Sequence, residues 1–164
     1  MHLSEPEFTS LVERESPKLA TLLARLIPNR SRVPDLLQEV WVSVWQGIAK
    51  FRGESALTTW IWKIAYRVAL RERYRQGGRL DTVELLEEVD ADPAPPVDDA
   101  LALSERIERI LATLTPLQRT VVTMFYLQNF AIAEIAVIVG QAEGTVKSHL
   151  HRARQRMMAA AKTN

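Results

Sequence analysis

Apolar residues recur every three or four positions through most of the chain, and the strict alternation of a half-buried strand is absent. The clearest stripe is Leu36, Leu37, Val40, Trp41, Val44, Trp45 and Ile48, with Asp35, Gln38, Glu39, Ser43 and Gln46 facing away. It predicts an amphipathic helix over Asp35–Lys50 whose stripe is core. A helix over Phe8–Ile27 precedes it, separated by Pro28-Asn29-Arg30 and Pro34, and a third follows Gly53. In that third helix Leu57, Trp60, Ile61, Ile64, Ala65 and Val68 form the expected buried side, while Trp62, Lys63, Tyr66, Arg67, Arg73 and Tyr74 lie on other faces. Later helices are expected near Ala100–Leu114, from Thr115-Pro116, over Ile132–Val139 and from about Ala142. Thr115 as N-cap with Pro116 at the first helical position is a strong start signal. Glycine and proline, which interrupt helices, are missing from 54–76, 97–115, 117–139 and 145–164. The expected fold class is all-α.

The pattern breaks between Gly77-Gly78 and Asp99, where Pro93, Pro95 and Pro96 fall among eight acidic residues and no basic one from Asp81 onward. Such a segment self-repels and has little to bury, although Val83, Leu85, Leu86 and Val89 suit a short docked turn. The chain therefore divides into two small helical domains, 1–78 and 101–164, joined by an acidic flexible linker over 79–100. Charge follows the same division: net +5 for 1–80, −8 for 81–116 and +4 for 117–164, summing to +1. Two basic modules flanking an acidic segment are compatible with a polyanionic partner despite the near-neutral total.

With no cysteine, disulfides, thiolate zinc sites and cysteine nucleophiles are excluded. The longest uncharged apolar-rich stretch, Thr120–Ala133, has 14 residues, short of the roughly 18 a membrane span needs. The first residues lack a basic start followed by an apolar run, so they do not read as a secretory signal. A cytoplasmic protein without membrane insertion is expected.

Two constellations are candidates to carry function. The first is the short helix Ile132–Val139, the break Gly140-Gln141-Ala142, and a helix in which Val146, Leu150, Ala153 and Met157 form a buried seam. Opposite that seam stand Lys147, Ser148, His151, Arg152 and Gln155. A bracing helix, a glycine turn and a second helix with a cationic free face suit a helix-turn-helix, whose second helix enters a major groove about 12 Å wide. A plain helical hairpin with a solvated basic face fits the same spacing. The second constellation is Phe51-Arg52-Gly53-Glu54-Ser55 followed by Trp60, Trp62, Tyr66, Arg67, Arg71, Arg73, Tyr74 and Arg75. Interleaved rings and guanidinium groups supply stacking platforms and phosphate clamps for unstacked bases, while ordinary core packing of the rings is the alternative.

Enzyme chemistry finds no support. His149 and His151 point about 200° apart on a helix, poor geometry for a shared metal. The pairs Glu87-Glu88 and Asp98-Asp99 lack supporting ligands, and no phosphate-cradling glycine loop or Ser/His/Asp arrangement is present. No catalytic residue, metal or cofactor is expected.

Four motifs in order, Asp35-Leu36-Leu37-Gln38-Glu39-Val40-Trp41, Phe51-Arg52-Gly53-Glu54-Ser55 with Thr59-Trp60-Ile61-Trp62-Lys63-Ile64-Ala65, Leu114-Thr115-Pro116-Leu117-Gln118-Arg119, and Glu134-Ile135-Ala136 with Gly144 to Arg154, resemble the extracytoplasmic-function sigma factors of bacterial RNA polymerase. The resemblance runs from about Phe8 to Met157 apart from the linker. It implies a core-binding and promoter-melting domain at 1–78 and a helix-turn-helix domain at 101–164. By the same resemblance Asp35, Gln38 and Glu39 dock on the clamp coiled coil of the polymerase largest subunit, and the second domain meets the flap of the second-largest subunit. Phe51, Arg52, Ser55, Thr58, Trp62, Lys63, Tyr66 and Arg67 become candidates for the −10 element, and Thr145, Lys147, Ser148, His149, Arg152 and Arg154 for the −35 element. An anti-sigma factor is a further implied partner, beside core polymerase and promoter DNA. The chain departs from the pattern at Tyr66, Arg67 and Arg71, which make the third helix more basic. It also has Ala131 where Ser usually caps the short bracing helix and Ala142 where Pro or Ser usually opens the recognition helix, and Asn129 is the expected substitute cap.

Overall fold

The computed structural model describes residues 3–77 and 99–162. The expected linker and its docked turn at Val83–Val89 lie outside the described residues, save Asp99 and Ala100, which open a helix. Every regular element described is helical.

Helix α1, Glu5–Leu26, starts before the predicted Phe8 because Ser4 and Glu7 close a capping box: the Ser4 backbone N–H donates to the Glu7 carboxylate at 2.8 Å. A 3-10 turn, Arg30–Arg32, leads into α2, Val33–Gly47, which ends in a second turn, Ile48–Lys50. Helix α3 spans Leu57–Arg75. These three helices pack on one another around Leu19, Leu22, Leu23, Leu36, Val40, Val44 and Ile61, and Trp41 donates its indole N–H to Ser16 Oγ at 2.9 Å. Trp45 corrects the predicted stripe, since it is 53% exposed. The stripe spans about half the circumference of α2 at 100° per residue, and Trp45 lies at its edge, its ring centroid 4.8 Å from that of Phe8.

Beyond the linker, α4 is Asp99–Ala112 and α5 is Pro116–Val122, continuing as a π-helical turn over Thr123–Leu127. Thr115 caps α5 as expected, accepting from the Gln118 N–H at 3.3 Å while Gln118 Oε1 accepts from the Thr115 N–H at 3.2 Å. Helix α6, Ile132–Val139, and α7, Glu143–Lys162, complete the chain. The expected cap on α6 is not Asn129, which takes φ +56°. The Glu134 carboxylate accepts from the Ala131 N–H at 2.9 Å instead, the carboxylate half of a capping box, while Ala131 offers no side-chain acceptor to the first-turn N–H groups.

The two halves share one hydrophobic core. Helix α6 lies along α3, where Phe130 meets Trp62 with ring centroids 4.9 Å apart, and α5 lies along α1. Arg119 ties this second seam together, donating to the carbonyls of Leu111 at 3.0 Å and Arg25 at 3.2 Å. Burial, followed by neighbouring arginine charges, lowers its pKa. Glu108 bridges to Arg30 at 3.0 Å and Arg25 at 3.9 Å.

Candidate nucleic-acid interface

Helix α7 presents the first surface. Gly140 ends α6 at φ +69°, a left-handed cap that glycine adopts without Cβ strain, and the Gln141 N–H closes onto the Ala136 carbonyl at 3.1 Å. The chain re-enters a helix within three residues, and Val146, Leu150 and Ala153 bury one side of α7. The opposite side gathers Lys147, Ser148, His151 and Arg152 around an open depression of about 510 Å³. Two cations and two hydrogen-bonding side chains there match base edges and phosphates.

Of the predicted α7 contacts, Lys147, Ser148 and Arg152 are brought together, and His151 joins them. Thr145 stands half-buried one turn earlier, and His149 is half-buried toward the seam. Arg154 is held elsewhere: it donates to the Tyr126 hydroxyl and lies 5.5 Å from that ring's centroid and 6.0 Å from that of Phe125. A hydrogen bond and cation–π contacts thus commit its guanidinium to the π-helical turn.

The second surface is the loop before α3. Gly53 turns the chain at φ +74°, and Phe51 folds back so that its ring centroid lies 5.2 Å from that of Trp60. Around this pair is a cleft of about 390 Å³ lined by Lys50, Arg52, Lys63 and Ser55 and by one carboxylate, Glu54. Val137 of α6 borders the same cleft, so its wall comes from both halves of the chain. Thr58 is half-buried beside it, and Arg67 is exposed on the next turn of α3.

Trp62 and Tyr66 correct the sequence expectation, because they do not lie on an open face. Trp62 is 0% exposed and Tyr66 is 7% exposed. At 100° per residue they sit beside Thr59 on the side of α3 that α6 covers, where Thr59 Oγ1 donates to Glu134 at 3.4 Å. Burial pushes the Tyr66 hydroxyl pKa up to about 12. The indole N–H of Trp62 is buried and has no acceptor among the described residues, an arrangement that costs about 1–3 kcal/mol.

The third surface is the outer side of α2. Asp35 and Gln38 are exposed and Glu39 is half-buried. Asp35 pairs with Arg32 at 2.6 Å, and Glu39 with Arg71 of α3. Val42, 48% exposed, and Trp45 continue this side. Sequence reasoning read Trp45 as core and did not single out Val42; the place of Trp45 at the stripe's edge and of Val42 outside it was the available signal.

Comparison with known proteins places this geometry. Residues 11–79 match the model of Sigma-70 region 2, and residues 104–157 match that of Sigma-70, region 4. The chain is 33% identical over 162 residues to the ECF RNA polymerase sigma-E factor of Haemophilus influenzae, covering 90% of this chain and 84% of that one. The chain belongs to the ECF sigma factors. The ECF RNA polymerase sigma-E factor of Escherichia coli is 32% identical over 159 residues, covering 90% of this sigma factor and 83% of the relative. Among solved structures, the sigma factor RpoE of Bartonella quintana, in complex with the anti-sigma factor NepR, superposes with a TM-score of 0.70 at 26% identity, covering 96% of this chain and 98% of that one. CnrH, in complex with the cytosolic domain of CnrY, shares the fold with a TM-score of 0.73 at 20% identity, over 98% of this chain and 91% of that chain. As an RNA polymerase sigma factor, the chain directs promoter-specific transcription initiation. No described helix is long and apolar enough to cross a membrane.

Proposed function

We propose that the sigma factor reads two promoter elements with its two halves while docked on core polymerase. The −35 element falls to the α7 face, with Lys147, Ser148, His151 and Arg152 in the major groove and Thr145 and His149 at its margin. Arg154 positions α7 through Tyr126. The −10 element falls to the cleft before α3. Its aromatic pair stacks one base lifted from the melted strand, while Lys50, Arg52 and Lys63 balance the backbone phosphates. Ser55 and Thr58 line the approach, and Arg67 extends the cationic path. Trp62 and Tyr66 join this surface once α6 has moved off α3, when the Trp62 N–H gains an acceptor.

The observation that carries this reading is the cleft. A tilted aromatic pair and three cations, offset by the single carboxylate of Glu54, border a space large enough for a nucleobase, on the same chain as a cationic helix-turn-helix. Asp35, Gln38 and Glu39, together with Val42 and Trp45, dock on the clamp coiled coil of the largest subunit, and the C-terminal half docks on the flap. The functional domains are 1–78 and 101–164 with the acidic 79–100 between them. The chain performs no covalent chemistry and needs no cofactor, and it works in the cytoplasm, where polymerase and promoters are. The relative solved with NepR supports an anti-sigma factor as a further partner.

Reconstitution tests this reading. Purified sigma factor added to core polymerase from its source should yield discrete transcripts from a library of genomic fragments, with shared sequences upstream of the starts. Folded protein that binds core and yields no discrete start would overturn it. Gln38→Ala with Glu39→Ala should weaken core binding, and intact binding by that variant would overturn the docking assignment.

A further inference from the structure

The carboxylates of the α2 face are already paired within the chain, and the two pairs differ in what holds their arginines. Arg32, which pairs with Asp35, also reaches the buried carboxylate of Glu72 through Nε at 3.3 Å. Losing Asp35 to a partner leaves it anchored on α3. Among the described residues Arg71 has Glu39 as its one ion-pair partner. Its side chain is 59% exposed and that of Glu39 is 42% exposed, so the pair is easily exchanged. On α3, Arg71 follows Lys63 and Arg67 at steps of eight and four residues and precedes Tyr74 by three, which sets all four along one side of the helix. This stripe leads away from the cleft before α3.

From this geometry we infer that Arg71 is a coupling residue between polymerase docking and promoter binding, an inference that rests on the functional reading of both faces. In the unbound chain Glu39 neutralises Arg71 and removes it from the cationic stripe. A cationic partner surface that takes Glu39 releases Arg71 to a DNA phosphate, extending the stripe begun by Lys63 and Arg67. The coupling is reciprocal: DNA that captures Arg71 frees Glu39 for the partner by the same factor. An exposed pair of this kind moves either equilibrium by up to about fivefold.

Salt dependence reads the exchange directly, since each phosphate contact contributes about 0.9 to the slope of log K against log salt concentration. Arg71→Gln in the complex of sigma factor and core should lower that slope for a promoter fragment by about 0.9 and weaken binding. In the unbound sigma factor, where Glu39 competes with phosphate for Arg71, the same substitution should lower the slope for duplex DNA by less, and Glu39→Gln should raise it by up to about 0.9. Arg71→Gln should also tighten core binding, by up to about fivefold. Equal slope losses in the bound and unbound chain, or no loss in either, would overturn the inference. If the wild-type chain forms promoter complexes with core and only the predicted slope changes fail, the coupling is wrong and the functional reading stands. A wild-type chain that forms no such complexes overturns both.

Discussion

Glu72 is a carboxylate in a place where carboxylates are rarely found. It is 4% exposed on the inner side of α3 and accepts from Gln76 Nε2 at 2.7 Å, with Arg32 and Arg75 beside it. The Gln76 hydrogen bond, opposed by burial and assisted by the arginines, holds its pKa below the ordinary glutamate value. The unfolded chain therefore binds the Glu72 proton more readily than the folded one. Its contribution to stability is complete above the unfolded value of about 4.3 and is lost as pH falls through the lower folded value. Urea titrations from pH 7 down to pH 3 should show that decline, and Glu72→Gln should flatten its share of it while lowering stability at neutral pH. Equal pH slopes for the two proteins would contradict this account.

Helix ends decide how α7 is aimed. Gly140 and Gly144 lie four residues apart and should respond oppositely to alanine, although a Cβ at either position meets open space. Gly140 carries φ +69°, so Gly140→Ala strains the backbone and should cost about 1–2 kcal/mol. Gly144 lies within the first turn of α7, where alanine reduces the freedom of the unfolded chain and should stabilise by about 0.4–1 kcal/mol. Thermal unfolding of the two variants without DNA checks the pair, and a destabilising Gly144→Ala would mean that α7 is not helical there. The turn between α6 and α7 was legible in the sequence because glycine takes the left-handed backbone of a helix C-cap without Cβ strain, and so marks where an apolar helix stops. The cap on α6 was misread because the helix starts at Ala131 with only the carboxylate half of a capping box, Glu134 accepting from the Ala131 N–H.

The two halves form a closed arrangement in which α6 covers Trp62 and Tyr66. A promoter-reading surface at those residues requires the halves to separate, and the proposed docking on core supplies the free energy. Because the chain has no cysteine, one introduced in each half, for example Glu13→Cys and Gln141→Cys, accepts a dye pair without removing a native thiol. Core polymerase should lengthen the dye separation. Phe130→Ala, which deletes the ring against Trp62, should lengthen it partly without core. An unchanged separation on core binding would remove Trp62 and Tyr66 from the proposed surface.

What the sequence determined by itself is local. Periodicity placed the helices, proline and glycine placed most of their ends, and the motif order indicated the family, because hydrogen bonding and amphipathic burial act over a few residues. The helix-turn-helix and its cationic face were visible for the same reason. Tertiary structure decided which apolar and aromatic residues are covered. Trp45 looked buried and is exposed, while Trp62 and Tyr66 looked open and are buried, because a residue's burial depends on the helix that packs beside it. Here that helix, α6, begins some 70 residues beyond Trp62 in the chain, and the periodicity within α3 carries no trace of it. The pairing of Glu39 with Arg71 has the same origin: each residue reads as a solvated charge until the packing of α2 on α3 brings them together.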